Sequence, residues 1–442
     1  MSTHDAFYTL PDSLVAFILS KMPIKDAVKS SILSKRWRFL YTQMPQLTFT
    51  PHDIFGPTCS SRYPLIRPSV EQIISNILVL HSGNLEAFHL HGTRFDFINR
   101  REFSHDSVCK WVRYASWCNV KHLTLFDCNT HDALKEMLPP ALFSCTHLVT
   151  LRLRNYFLTS FPINFIGFPH LITCELRDVQ LTDGFLVSLI SLCPLLQKLE
   201  AIRHAGLDNA AIFSSTIEHL YLESVKSLSV NCPKLKILSG YRIENLSVNG
   251  VRFYELSFAI SNVEMHCGGT LRKLTMCFSQ GQRNNPGIIS ASRFLHIMGN
   301  FQSLKTLVIH MSNPFEREPD MDVYVFNLLH KLPNLQELSI SGLFVQELAR
   351  DPIPVCLTPP HLYLKKVRIG LCGFDLDNKE VAVISCLLQS MPSLELLEIQ
   401  LPDVYDDDDG QIFIDDGQCL KLLKDILYMR RASLLARIVV LD

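Results

Sequence analysis

The chain has 442 residues, of which 47% are hydrophobic, and its formal net charge at pH 7 is −1. This length is enough for two or three domains or for one long repeat array. The composition is that of an ordinary core-forming protein, and the near-zero charge provides no overall field to attract nucleic acid or an anionic membrane. We therefore expect neither nucleic acid nor a membrane among its partners.

The first residues, MSTHDAFYTLPDS, lack the features of a secretory signal, and no stretch reaches the roughly 18 consecutive apolar residues of a membrane helix. The 14 cysteines are scattered, and none forms a CxxC pair. Cys145, Cys193 and Cys232 precede apolar runs, where a buried thiol serves as packing. The cysteine pattern predicts a reduced, intracellular compartment, either cytoplasmic or nuclear.

The stretch LPDSLVAFILSKMPIKDAVKSSILSKRWRFL, residues 10–40, predicts three short helices. The first begins near Pro11 and ends at Pro23, the second begins at about Asp26, and Ser34 can cap the third. Three helices in about 40 residues are marginal as an independent core. Their apolar residues nevertheless occupy more than half of the first helix's circumference, and surplus apolar surface of this kind usually marks a contact with another protein.

Short apolar triplets then recur at intervals of mostly about 20 to 33 residues, which is close to the period of leucine-rich repeats. In each triplet the last two positions alternate with polar residues, which indicates a short strand with one buried face. The clearest copies are Leu148-Leu151-Leu153, Leu171-Cys174-Leu176, Leu196-Leu199-Ala201, Ile217-Leu220-Leu222, Leu271-Leu274-Met276, Leu304-Leu307-Ile309, Leu335-Leu338-Ile340, Leu364-Val367-Ile369 and Leu394-Leu397-Ile399.

Amphipathic stretches precede several of these strands, as in DGFLVSLISLCP, SRFLHIMGNF and KEVAVISCLLQSMP. They predict helices that end at the proline before the next strand. One repeat cannot bury its own apolar face, but a stack of repeats can. The alternative is an unrelated α/β domain with chance triplets. The stretch between Ile217 and Val248 lacks a clear helix, so we expect an irregular coil there.

The N-terminal motifs LPDSLVAFILSKMP, KDAVKSSILSKRWR and MPQLTF resemble a plant-type F-box over about residues 10–49. F-boxes bind the Skp-type adaptor of cullin–RING ubiquitin ligases, so the resemblance implies that partner and, through it, cullin. The positions that the resemblance assigns to the adaptor interface are Leu10, Pro11, Leu14, Ile18, Leu19, Pro23, Val28 and Leu33. The alternative is a helical cap that only covers the first repeat.

The triplets resemble leucine-rich repeats, and the end of the chain, from HLYLKKVRIG to ARIVVLD, resembles the FBD-type tail of plant F-box proteins. The implied fold is α/β: a three-helix F-box, then a solenoid with a curved parallel sheet and outer helices, then an α/β tail that continues it. We expect an F-box in residues 1–50, a linker or helical cap in 51–84, leucine-rich repeats in 85–360 and the FBD-like region in 361–442.

Outward strand positions supply the candidate target-binding residues, since the resemblance implies an exposed sheet face. They are His122, Phe126, Arg152, Arg154, Arg177, Lys198 and Tyr221. Adjacent strands lie about 4.8 Å apart, so the arginines and Lys198 would cluster into a basic patch for an acidic partner or an anion. The competing interpretation is a solvated charged face that Glu175 and Glu200 partly neutralise.

Three further features of the sequence bear on metal binding and catalysis. The insertion PDVYDDDDGQIFIDDGQ has a partial calcium-loop spacing, but Tyr405 occupies the first ligand position and a strand precedes it, so we interpret it as a solvated acidic loop. His89 and His91 share one strand face without an evident third metal ligand, so we interpret them as an exposed pair. Nucleotide-binding, hydrolase and metalloprotease motifs are missing. We expect no catalytic residues, no metal and no cofactor.

The resemblance implies the substrate-recognition subunit of a Skp–cullin–F-box ubiquitin ligase, a non-catalytic adapter that binds a target protein through its repeats. Two alternatives stay open. One is an F-box receptor whose binding is assisted by a small molecule or an inositol phosphate. The other is a repeat scaffold unconnected to ubiquitin. The sequence does not identify the target protein.

Overall fold

A computed structural model describes residues 10–50, 53–54, 70–92, 103–126, 136–249, 255–266, 271–278, 291–311, 327–350, 357, 360–371, 378–400, 424–426 and 428–441. The chain divides into two compact units, residues 1–210 and 211–442. Within the described ranges, every helix is too short or too polar to cross a membrane. The predicted acidic insertion at residues 402–418 lies outside the described residues.

The helices of the first unit include the three predicted at the N-terminus. The α-helices of this unit are α1 (Asp12–Leu19), α2 (Ile24–Lys29), α3 (Val70–Leu80), α4 (His105–Trp117) and α5 (Asp183–Ser191). The third predicted helix is a 3-10 helix, Trp37–Gln43, and the Ser34 hydroxyl accepts a 3.2 Å hydrogen bond from the Trp37 amide, as expected for a cap. The Arg36 guanidinium ties this helix to α1, because its Nε donates to Asp12 Oδ1 at 2.8 Å.

The strands of the first unit are short and alternate buried with outward residues. They are β1 (Gln46–Phe49), β2 (Ala87–His91), β3 (His122–Phe126), β4 (Glu136–Met137), β5 (Thr150–Arg154), β6 (Tyr156–Leu158), β7 (Thr173–Arg177), β8 (Gln180–Leu181) and β9 (Lys198–Ile202). The main sheet has the order β1-β2-β3-β5-β7-β9, and all of these pairs are parallel. The predicted triplets therefore form the buried side of a parallel sheet.

Several strands are followed directly by a residue with a left-handed backbone conformation. Asn155, Asp178 and Arg203 have φ values of 69°, 50° and 50°, and each immediately follows β5, β7 or β9. The Asn155 amide donates to Arg177 O and the Asp178 amide donates to Ile202 O, at 3.1 and 2.9 Å. These hydrogen bonds extend the strand ladder by one residue, so the left-handed conformation turns the chain where the ladder stops.

Hydrogen bonds and close packing join the N-terminal helices to the first repeats. The amides of Ser82 and Gly83 donate to Thr42 O at 2.8 and 3.2 Å. His81 Nε2 lies 2.9 Å from Met44 O and must donate to it, so Nδ1 accepts from the Tyr114 hydroxyl at 2.8 Å. A Cβ at Gly83 would lie 2.7 Å from the backbone of Gln43. This junction therefore tolerates no side chain at position 83.

The second unit continues the same pattern with longer strands near its start. After β10 (Asn209–Phe213), its strands are β11 (His219–Asn231), β12 (Ile237–Asn249), β13 (Glu255–His266), β14 (Lys273–Phe278), β15 (Thr306–Met311), β16 (Glu337–Gly342), β17 (Lys366–Gly370), β18 (Leu396–Gln400) and β19 (Arg437–Leu441). From β11 to β19 they pair in sequence order, all parallel. The stretch from Ile217 to Val248 contains strands and no helix, as predicted.

The predicted outer helices and the tail are also present. The helices of this unit with described bounds are α6 (Ala291–Met298), α7 (Asn327–Lys331), α8 (Leu343–Arg350) and α9 (Asn378–Ser390). The predicted stripe of Phe294, Ile297 and Met298 on α6 is buried. In the tail, β17, α9, β18 and β19 follow one another along the chain.

Candidate protein-binding surfaces

The first candidate surface is the outer side of α1 and the turn after α2. On α1, Val15 and Leu19 are fully buried, whereas Leu14, Phe17 and Ile18 are exposed by 48, 49 and 39%. We call the exposed apolar set of this region the helical apolar surface. Its members are Leu14, Phe17, Ile18, Met22, Ile32 and Leu33. The surplus apolar residues of the sequence therefore lie on the protein's exterior.

The residues predicted for the adaptor interface differ in their exposure to solvent. Leu14, Ile18 and Leu33 belong to the helical apolar surface. Pro11 and Pro23 are exposed next to it, and Leu10 and Val28 are half-buried. Leu19 is the exception: it is fully buried among the helices, so it supports the fold and cannot contact a partner directly.

Phe17, Met22 and Ile32 were missing from the predicted set. Phe17 had a signal in the sequence, because it extends the apolar stripe of α1 beyond the face that the small core can bury. Lys21 Nζ lies 4.8 Å from the centre of the Phe17 ring and donates to Gln46 Oε1 at 3.0 Å. The same segment also carries cationic side chains. The exposed ones are Lys21, Lys25, Lys29, Lys35 and Arg38.

The second candidate surface is the outward side of strands β2 to β9 in the first unit, which we call the first-unit strand face. The sheet register aligns His89, Thr124, Arg152, Glu175 and Glu200 in one row across the strands. His122 and Lys198 lie in the row on one side, and Phe126, Arg154 and Arg177 lie in the row on the other. Tyr221 is half-buried on β11, which belongs to the second unit, so it is not part of this face.

The predicted cations do come together, in contact with carboxylates. We call Arg152, Arg154, Arg177, Lys198 and Arg203 the cationic cluster. Three of its members converge on Glu175, a carboxylate that is almost fully buried. The Arg152 Nε, Arg177 Nη2 and Lys198 Nζ atoms lie 3.1, 3.8 and 3.8 Å from its oxygens.

A second carboxylate organises the edge of this cluster. The Nε atoms of Arg154 and Arg203 lie 2.7 and 3.0 Å from the two oxygens of Asp178, the left-handed residue after β7. Lys198 Nζ also contacts Glu200 Oε1 at 2.8 Å. The sequence prediction omitted Asp178 and Arg203, because both follow the strands and interrupt the alternation that identified the others.

The histidines next to the cluster are less exposed than expected. Thr124 is almost fully buried, and its hydroxyl lies 2.8 Å from His89 Nδ1. Burial, with the charges of His91 and Arg152 among further causes, lowers the pKa of His89 to about 4. The exposed-pair interpretation of His89 and His91 is therefore wrong, because both rings are half-buried and His91 packs edge-on against Phe126 at 5.1 Å.

The described residues contain no group of three or more histidine, cysteine, aspartate or glutamate side chains that could hold a metal ion. Their cysteines are free, and Cys145, Cys174, Cys193 and Cys232 are buried. Burial raises the pKa of the Cys145 and Cys193 thiols to about 12, so these side chains are neutral packing groups as predicted.

Two family models match the chain. Residues 7–40 match the F-box domain, and this range includes the whole helical apolar surface. Residues 108–340 match the model for the LRR repeats of FBD-associated F-box protein At5g56370; this range includes β3 to β15, most of β16 and the whole cationic cluster. The second match covers more than half of the chain.

Similar proteins from Arabidopsis thaliana carry related names. F-box/FBD/LRR-repeat protein At5g56420 is 31% identical over 244 residues, which are 55% of this chain and 50% of that protein. Putative F-box/FBD/LRR-repeat protein At5g62970 is 28% identical over 77% of this chain and 78% of its own length. F-box/LRR-repeat protein 13 is 25% identical over 98% of this chain and 95% of its own length. By its F-box, its parallel repeat sheet and these matches, the chain belongs to the F-box/FBD/LRR-repeat family.

Proposed function

We propose that this chain is the substrate-recognition subunit of a Skp–cullin–F-box ubiquitin ligase. In this proposal the helical apolar surface binds a Skp-type adaptor and the repeats bind a target protein. The observation that carries the proposal is the position of exposed Leu14, Phe17 and Ile18 inside the segment that matches an F-box. Exposed apolar surface of this extent on a small helical unit indicates that a second protein covers it.

The charges around the helical apolar surface support an acidic adaptor. The same segment carries five exposed cations, whereas its acids are already engaged: Asp12 with Arg36 at 2.6 Å and Asp26 with Lys29 at 3.6 Å. Complementary charge at the rim of an interface increases the association rate and selects the partner. We therefore infer that the adaptor presents carboxylates around an apolar groove.

F-box/LRR family members are typically adapter proteins. We infer that this chain contributes no chemistry of its own and that partner subunits transfer ubiquitin. Its role would then be to hold the target close to the transfer machinery, which raises the effective concentration of the target's lysines. Such ligases act in the cytoplasm or the nucleus, and we propose one or both as its location.

A pull-down with a purified Skp-type adaptor tests the proposal. Wild-type chain is expected to bind, and the double variant Leu14→Asp with Ile18→Asp is expected to lose binding, because two carboxylates would enter an apolar interface that favours neutral groups. The matched control is Ile163→Asp with Ile166→Asp, two exposed apolar residues outside the F-box match. This control should bind like wild type.

Thermal melting of both double variants separates lost binding from lost folding. Equal melting temperatures with selective loss of adaptor binding would support the proposal. Binding by the Leu14→Asp, Ile18→Asp variant at wild-type strength would refute the helical apolar surface as the interface. Failure of the wild-type chain to bind any Skp-type adaptor would favour the repeat scaffold that is unconnected to ubiquitin.

A further inference from the structure

The cationic cluster carries more positive charge than its own carboxylates neutralise. Five cations face three acids, Glu175, Asp178 and Glu200, which leaves an excess of two positive charges. Arg152, Arg177 and Lys198 nevertheless keep 40 or 41% of their side chains exposed. The excess charge is therefore accessible from outside.

The hydrogen-bonding capacity of these cations is also incompletely used. Among the described residues, the buried Nε atoms of Arg152 and Arg177 have no hydrogen-bond partner. The 3.1 Å contact of Arg152 Nε with Glu175 is close but poorly aligned, and Arg177 reaches Glu175 only at 3.8 Å. A guanidinium has five N–H donors, and two of them can bind the two oxygens of a carboxylate or phosphate side by side. Because these two Nε atoms are themselves buried, a further oxyanion would contact the exposed parts of the Arg152 and Arg177 side chains.

The positive potential extends along the sheet toward β2. Burial is the first cause of the lowered pKa values of His89, His91 and His122, and the charge of Arg152 adds to it at each ring. Lys21 contributes at His89, whereas Glu86 at His122 and Asp53 at His91 act in the opposite direction. Three side chains on two neighbouring strands thus experience the field of this arginine.

We propose that the cationic cluster binds an acidic segment of the target protein, with side-chain carboxylates or phosphates of that segment contacting Arg152, Arg177 and Lys198. This inference rests on the proposed function, in which the repeats hold the target. The three residues lie on the adjacent strands β5, β7 and β9, which together span about 10 Å. An extended peptide covers that distance with about three residues, so two acids in alternate positions fit the cluster.

The arrangement favours separate acidic side chains over a continuous polyanion. Glu175, Asp178 and Glu200 lie between the cations and would repel a closely spaced phosphate backbone. Phe126, packed against His91 beside the cluster, offers an apolar neighbour for the rest of the segment.

The full-length chain can be titrated by fluorescence anisotropy with three labelled peptides of 12 residues. They share one Gly/Ser/Leu framework and carry four glutamates, four phosphoserines or four lysines. Binding of the glutamate or phosphoserine peptide, weakened by added salt, and no binding of the lysine peptide are expected. The stronger of the two acidic peptides identifies the source of the anionic group.

Substitutions assign the binding to the cluster. Arg152→Gln with Arg177→Gln should weaken acidic-peptide binding by about tenfold or more, because charge-assisted hydrogen bonds are lost. The matched control, Lys110→Gln with Arg113→Gln, removes the same charge from the exposed side of α4 and should leave binding unchanged. In the opposite direction, Glu200→Gln frees Lys198 from its 2.8 Å contact and should strengthen binding about two- to threefold.

The outcomes separate this inference from the proposed function. Adaptor pull-down is expected to be unaffected in all three variants, because the substitutions lie outside the F-box match. Intact adaptor binding with no acidic-peptide binding, or equal loss in the α4 control, would overturn the inference alone. Tighter binding of inositol hexakisphosphate or of short single-stranded DNA than of either acidic peptide would also overturn it.

Discussion

The first and second units present different chemistry from the same backbone arrangement. In both, the residue between the two buried positions of each strand points outward and aligns with its neighbours across the sheet. In the first unit that row contains His89, Arg152 and Glu175. In the second it contains Ser239, Thr275 and Val308, and charge returns only at Arg368 and Glu398.

The comparison shows that the fold and the surface are specified by different positions. Residues at the inner positions, such as Leu199 in the first unit and Leu307 in the second, are apolar and fully buried. The outward position contributes little to the core, so its identity can change without loss of the fold. On the proposed function, differences along that row would change target binding, and the cationic cluster would make the first unit the charged recognition surface.

The largest expected effect concerns the buried strand positions, which occur in both units. Leu199→Ala and Leu307→Ala should each lower the free energy of unfolding by about 2–5 kcal/mol, because both side chains are fully buried. Val308→Ala, next to Leu307 but outward and half-buried, should cost less than about 1 kcal/mol. Urea denaturation followed by circular dichroism measures these values. If the losses in free energy of unfolding for the two leucine variants differ by more than about 3 kcal/mol, the buried positions of the two units are not equivalent.

Next in size is the removal of a buried carboxylate. Glu175→Gln leaves three cations close together without their shared acid and should lower stability by about 2 kcal/mol, an effect that added salt reduces. Glu398→Gln in the second unit should cost about 1 kcal/mol or less, because the Glu398 side chain is 14% exposed, against 8% for Glu175, and contacts two cations, Arg368 at 2.6 Å and Lys366 at 3.3 Å. Equal losses in the two variants would contradict the difference between the two faces.

A buried histidine of the first unit should give a pH-dependent effect. Burial lowers the pKa of His204 to about 4, and neither ring nitrogen has a hydrogen-bond partner among the described residues. At pH 7 His204→Leu should raise stability by about 1 kcal/mol, because an unsatisfied polar group is removed. Below pH 6.5 the unfolded chain binds a proton that the folded chain resists.

Wild-type stability should therefore fall as the pH decreases from about 6.5 toward 4. The advantage of His204→Leu should grow by about 2 kcal/mol between pH 7 and pH 5. Urea denaturation at both pH values measures the difference between variant and wild type. A difference that stays constant would show that this ring is not responsible for the loss.

The smallest effect is expected at the uncharged row of the second unit. Thr275→Arg should change stability by less than about 0.5 kcal/mol, because the residue is half-buried on the outward side of β14. The same substitution should leave the affinity for the acidic peptides unchanged, since a single cation there lacks the neighbours of the cationic cluster. A clear gain in affinity would show that charge alone, without the cluster's arrangement, is sufficient.

The repeat architecture could be predicted from the sequence because burial imposes alternation on every strand. Leu151 and Leu153 mark β5, and Arg152 and Arg154 between and beside them point outward as expected. The F-box helices were also predictable, because prolines mark their ends and apolar residues recur at helical spacing.

The details of the sites were less predictable, because they depend on contacts between distant strands. Leu19 and Ile18 are neighbours with equal hydrophobicity, and only the packing of three helices decides that one is buried and the other exposed. Glu175 occupies an outward position yet is buried, because cations from the two neighbouring strands cover it. Arg203 follows its strand in a left-handed conformation, which no alternation pattern anticipates.

The junction at His81 and Gly83 has a consequence for how the chain would act. Its hydrogen bonds and the lack of space at Gly83 fix the N-terminal helices to the start of the sheet. On the proposed function, a captured protein would then face the ubiquitin-charged enzyme from one direction and at one separation. The position of a lysine on that protein, more than its surrounding sequence, would decide whether it is modified.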